Sequence, residues 1–159
     1  MKKALLIVSL FALVMVVGVT QAKAATVSVT VTIAQRISIS VSQAAWAIGS
    51  VAEGGNAVLL LAATNNGNVA EDFSLTTGNS TNWTCGAAAG PETFSMSARN
   101  LSDGSRGSSC GGFALLPGNV AAGASDGFDL SFQAPTSTNF IGVQQTIPVQ
   151  LTATKYVAP

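Results

Sequence analysis

Cys85 and Cys110 are the only cysteines of a 159-residue chain that contains no histidine. A nucleophilic thiolate normally needs a neighbouring base or cation, and two thiols without histidine do not complete the four ligands of a zinc site. The pair therefore reads as a disulfide, an even count suited to an oxidising compartment. Closing a loop of about 25 residues, it would stabilise the fold by roughly 3 kcal/mol in the chain-entropy model. The loop, "GAAAGPETFSMSARNLSDGSRGSSCGG", is rich in Gly and Ser and would otherwise be floppy. The carboxylates offer little more. Glu71-Asp72 and Asp126/Asp129 are the only acidic neighbours, and acid–base catalysis would need two such groups converging in a cleft with separated pKa values. In "FDLSF" Asp129 falls on the polar face, so solvated surface is the reading for both pairs. Calcium ligation by Asp103, Asp126 or Asp129 lacks the D-x-[DN]-x-[DN]-G loop that would support it. No enzyme activity, metal or cofactor is expected.

Aromatic side chains suggest a different chemistry, because sugar rings stack on exposed Trp and Tyr. Trp83 is the candidate glycan contact, since "STNWTCG" is a polar loop beside the cysteine pair; Trp46 and Tyr156 follow it. The alternative is that each Trp packs over a core, as a Trp near a disulfide does in many sandwiches. Asn79, Asn82 and Asn100 begin N-x-S/T patterns, short matches that arise by chance in Asn- and Thr-rich chains.

The elements that would carry these residues are strands. "AVLLLAAT" (57–64), "EDFSL" (71–75), "TFSMS" (93–97), "FALL" (113–116), "GFDLSFQ" (127–133) and "QTIPVQLTAT" (145–154) are separated by turn-forming residues, and no stretch has convincing helical periodicity. Alternation is clean in the last two: Phe128, Leu130 and Phe132 share one face, as do Ile147, Val149, Leu151 and Ala153. Asn65-Asn66-Gly67-Asn68 suits a type I′ or related turn needing positive φ. "GSVAEG" (49–54) and "GNVAAG" (118–123) echo one another, each ahead of a strand, which reads as convergent turn chemistry rather than duplication. Seven to nine short strands imply an all-β, antiparallel β-sandwich, Ig-like or jelly-roll-like; a closed β-barrel gives the same alternation and is the alternative.

Ahead of this domain, Met1-Lys2-Lys3, an apolar run from 4 to 19 and Ala22-Lys23-Ala24 form a signal peptide, residues 1–24, with cleavage before Ala25. A retained anchor would need about 20 apolar residues, so no stable membrane insertion is expected after cleavage. The remaining residues 25–159 suffice for a single β-sandwich domain. They carry four basic side chains (Arg36, Arg99, Arg106, Lys155) against seven acidic ones, a balance of −3. Nothing in that balance attracts nucleic acid, and so few charges put little electrostatic resistance in the way of self-association.

That domain opens on "ATVSVTVTIAQRISISVS" (25–42), in which Val27, Val29, Val31, Ile33, Ile37, Ile39 and Val41 hold one parity. One continuous strand from 27 to 41 would span roughly 50 Å, against about 20 Å for an ordinary strand. Either the segment bends at Ala34-Gln35-Arg36 and crosses between two sheets, or its first half projects and adds to an exposed sheet edge of another subunit. Val27, Val29, Val31 and Ile33 are the candidate assembly strand. Pro148, lacking an N–H, marks the final strand as an edge or as one with a gap in its ladder.

The succession Trp46-x-x-Gly49, "NNGNVAEDFSL", "LLPGNVAAGASDGFDLSFQAPT" and "TIPVQLTAT" resembles the Ig-like modules of secreted bacterial and archaeal surface proteins, the CARDB type included. A weaker likeness is to secreted biofilm-fibre subunits. The resemblance spans about 46–154, in loose turn-and-strand patterns of low specificity. It implies a sandwich at the cell surface and transfers no catalytic residues. The expectation is a secreted, extracellular or cell-surface protein (the periplasm is possible) that works without catalysis as a structural or adhesive component, a fibre subunit joined through its N-terminal strand. Its partners would be itself or other surface proteins; an extracellular carbohydrate-binding module contacting glycans through Trp83 is the alternative.

Overall fold

A computed structural model describes residues 28, 30–114 and 118–158. The expected signal peptide, Val27, Val29 and the 115–117 part of "FALLPG" lie outside the described residues. The chain divides into two compact units, Met1–Thr32 and Ile33–Pro159. In the first, only residues 28 and 30–32 are described, and they are exposed.

The second unit is all-β. Nine strands are present among the described residues: β1 (Ile39–Val41), β2 (Asn56–Asn65), β3 (Glu71–Thr77), β4 (Thr84–Gly86), β5 (Thr93–Asn100), β6 (Arg106–Ser108), β7 (Phe113–Ala114), β8 (Ser125–Gln133) and β9 (Val149–Lys155). They form two sheets. The larger runs β1-β2-β8-β5-β4, with β6 also on β5, and the smaller runs β7-β3-β9. Two separate sheets make this a sandwich rather than a closed barrel. Pairing is antiparallel throughout except that β4 lies parallel to β5.

Period-two alternation builds the core. In β8, Phe128, Leu130 and Phe132 point inward, between Ala63 of β2 and Phe94, Met96 and Ala98 of β5, and Phe73 and Leu75 of β3 close the layer from the smaller sheet. Phe94 and Phe132 stack at 5.9 Å between centroids. Each buried Phe, Leu or Met side chain among them is worth about 1.5–3 kcal/mol relative to exposure.

Cys85 and Cys110 are disulfide-bonded, with Cα atoms 5.4 Å apart. Cys85 lies in β4 of the larger sheet, and Cys110 bridges to Thr77 of β3 in the smaller one, so the bond ties the two layers. Its neighbour Ser109, fully buried, donates its N–H to Met96 O (2.9 Å) and accepts from Thr77 N (2.8 Å), a polar tie beside the covalent one. The Gly/Ser-rich loop is therefore ordered around β5 and adds β6, a strand its composition hides.

Two local expectations are corrected. Asn65-Asn66-Gly67-Asn68 is no positive-φ hairpin, since none of its residues has positive φ. β2 and β3 belong to different sheets, and the loop carries the chain between them; Asn65 turns it by accepting the Gly67 N–H on Oδ1 (2.8 Å). Glycine is needed at 67 for close approach, because a Cβ there would collide with Glu71 Oε1 and the Arg36 carbonyl. The opening segment is also shorter as a strand than its parity suggests. Among the described residues of this segment only Ile39–Val41 is a strand, and residues 30–37 are exposed.

The echoing loops do share turn chemistry. Gly54 and Gly123 both have positive φ (68° and 78°), and the next N–H bonds back three residues in each, Gly55 N to Ala52 O and Ala124 N to Ala121 O. This is the φ signature of a type II turn, which wants glycine at its third position.

Candidate functional site

The N-terminal arm is held by side chains that imitate a strand. Asn68 accepts the Arg36 N–H on Oδ1 (2.8 Å) and donates Nδ2 to the Ala34 carbonyl (2.9 Å), as a neighbouring peptide group would. Its backbone N–H donates to Arg36 O (3.1 Å), and Asn66 N donates to Ser38 O (2.7 Å). Arg36 returns a bond from its guanidinium to Asn66 O (2.6 Å), and Asn66 Nδ2 reaches Ser40 Oγ (2.7 Å). Beneath them Glu71, fully buried, accepts the Ser38 N–H on Oε1 (2.9 Å). Asn65, also fully buried, donates to Val69 O and Val120 O, both at 2.8 Å, and fixes the loop that presents these groups.

This grip stops at Ala34. Among the described residues no hydrogen bond reaches 30–33. Val31 is 76% exposed and Ile33 83%, so the described half of the candidate assembly strand presents apolar side chains to water. Sequence reading identified the arm from its alternation but missed its anchor. Asn66 and Asn68 looked like turn formers, and only their placement some 30 residues along the chain from Ala34 and Arg36 reveals the second use.

The outer face of the larger sheet is the second feature. Cross-strand register places Leu60, Asp129, Arg99 and Arg106 in one row, and Val58, Ser131, Ser97 and Ser108 in the next. Asn56, Val58, Ser95, Ser97, Ser131 and Gln133 line much of a shallow, open depression of about 280 Å³. Asp129 is not solvated surface as expected, being only 3% exposed. It does point away from the core, but β8 is a central strand and two arginines cover it. Arg99 Nε donates to Oδ2 at 2.8 Å with a second guanidinium nitrogen at 2.5 Å, and Arg106 stands 3.9 Å from Oδ1. Asp126 accepts the Gly127 N–H (2.8 Å) and the Ser102 hydroxyl. Asp103 is fully exposed, and the N–H of Ser105 donating to Oδ1 (2.8 Å) holds its carboxyl below the usual range. Among the described residues no three His, Cys, Asp or Glu side chains are grouped to hold a metal ion.

Trp83 is half-buried and packs against the core, as does Trp46. Its indole Nε1 donates to Thr138 Oγ1 (3.0 Å), whose hydroxyl donates to Glu92 Oε2 (2.8 Å). Glu92 Oε1 also accepts from Asn139 N (2.6 Å), and Glu53 Oε1 from Thr138 N (2.8 Å). The network fixes the ring and pins the 138–139 segment beside it. Asn100, first residue of one N-x-S pattern, is fully buried, with Oδ1 bound to Ser102 N (2.8 Å).

No protein-family model, curated protein or solved structure matches the chain. Among the described residues no helix is long and apolar enough to cross a membrane.

Proposed function

We propose that this chain is exported and works without catalysis as a structural or adhesive surface protein, a fibre subunit joined to its next copy by the N-terminal arm, residues 25–33. The carrying observation is the abrupt end of the anchor at Ala34, with Val31 and Ile33 exposed beyond it. A strand of alternating valines and threonines without proline or charge has none of the usual protections against edge pairing. Among the four basic and seven acidic side chains of residues 25–159, none lies before Arg36, so nothing repels a second copy from the arm. The disulfide suits an oxidising compartment, in keeping with export and with the likeness to Ig-like surface modules. A glycan role through Trp83 draws less support, because its indole N–H is already engaged and the half-buried side chain packs against the core.

The test compares the chain beginning at Ala25 with one beginning at Ala34, by negative-stain microscopy and size-exclusion chromatography. The longer chain is expected to form filaments and the shorter a folded, soluble monomer. A longer chain that stays monomeric at high concentration, or a shorter one that unfolds, refutes the proposal.

A further inference from the structure

We infer that the acceptor of the arm is the free edge of β9 in a second copy of this chain; this rests on the assembly reading above and names its missing half. Among the described residues β9 pairs only with β3. The phase of that ladder fixes which backbone groups remain free. Gly78 N bonds to Pro148 O and Tyr156 N to Ala70 O, both at 2.9 Å, at the two ends of the strand. Antiparallel pairing alternates, so the even-numbered residues 148–156 direct their N–H and C=O toward β3. Val149, Leu151, Ala153 and Lys155 therefore direct theirs outward. Pro148 lacks its N–H on the β3 side, so the outward row is uninterrupted. Lys155 is the sole charged residue of the strand and stands at its far end.

Among the described residues β9 is the longest free edge. β1, β4 and β6 are three residues each and β7 is two; β1 covers β2 only at Ala63–Asn65, leaving Asn56–Leu61 without a strand partner on that side, against the seven residues of β9. Its core-side residues are also incompletely covered. Ile147, Leu151 and Ala153 pack on the core only in part, and Val149 is 39% exposed. That row of four at period two matches the arm's Val27, Val29, Val31 and Ile33 in number and spacing. Nine arm residues span about 30 Å extended, enough to run the roughly 23 Å of β9. A strand added there would pair the outward N–H and C=O groups and extend the apolar layer over the margin of the core, which is β-augmentation by a neighbour. Because donor and acceptor are different surfaces, the contact repeats head to tail and does not close.

Two variants of the chain beginning at Ala25 test this by complementation. Leu151→Pro removes an N–H from the outward row and none from the ladder to β3; Val29→Pro with Val31→Pro disables the arm. Each alone is expected to remain monomeric where the unsubstituted chain forms filaments. Mixed in equal amounts they are expected to give a heterodimer that grows no further, since one supplies an intact arm and the other an intact edge. Val149→Lys serves as a second acceptor variant if circular dichroism shows Leu151→Pro to be unfolded. Filaments from the acceptor variants at the unsubstituted level overturn the β9 assignment and leave the arm's role standing. Variants that stay monomeric when mixed also overturn the assignment, and an unsubstituted chain that never assembles overturns both readings.

Discussion

β8 and the N-terminal arm carry the same pattern, apolar and small polar residues in strict alternation, and meet opposite fates. Phe128, Leu130 and Phe132 lie in a strand paired on both sides, beneath a second sheet, and are buried to within a few per cent. Val31 and Ile33 continue a run of equal regularity but have water around them. Alternation encodes the capacity to form one face of a layer; whether that face is filled depends on a partner, which in β8 comes from this chain and in the arm is proposed to come from another. The two regions are also held differently. The sandwich is closed by aromatic packing and a disulfide, the arm's root by amides and one buried carboxylate.

Substitutions in the two regions are expected to have very different effects. Phe128→Ala is expected to cost about 3–5 kcal/mol in denaturant unfolding, through lost burial and the cavity left behind, whereas Val31→Ala in the monomer stays within about 0.5 kcal/mol. Equal losses would mean that the arm is part of the core. Replacing Cys85 and Cys110 together by Ser is expected to cost about 3 kcal/mol, read as a lower unfolding midpoint under non-reducing conditions. Arg99→Ala, which leaves Asp129 buried with one distant cation, is expected to cost about 2 kcal/mol. Arg106→Ala, by contrast, removes a half-exposed partner and is expected to cost under about 0.5 kcal/mol. Asn68→Ala is expected to cost about 1 kcal/mol, confined to the arm's root. The Arg36 amide is expected to exchange with solvent about fivefold faster while the β8 amides are unchanged, the signature of local opening.

Much of the sandwich was legible in the sequence because its signals are local. The alternation of 128–132 and the cysteine count each state a physical constraint within a few residues, and β8 and the Cys85–Cys110 disulfide follow from them; Pro148 precedes β9, where its missing N–H leaves a gap toward β3. What was not legible depends on register between distant segments. Asp129 reads as polar surface until β5 and β6 bring Arg99 and Arg106 across it. Asn-Gly reads as a hairpin until its strands are seen in different sheets. β6 and the parallel β4 have too few apolar residues to announce themselves, being held by pairing with β5.

Hydrogen exchange at the amides of Thr30, Val31, Thr32 and Ile33, compared between monomer and assembled material, distinguishes a free arm from one paired with a neighbour. In the monomer these amides are expected to exchange at rates near those of an unstructured chain, since no described residue accepts their hydrogens; on assembly alternate ones are expected to slow by at least about a hundredfold as a neighbour's strand pairs with them. Protection already present in the monomer, or none gained in the assembly, would rule out pairing of the arm with a second copy.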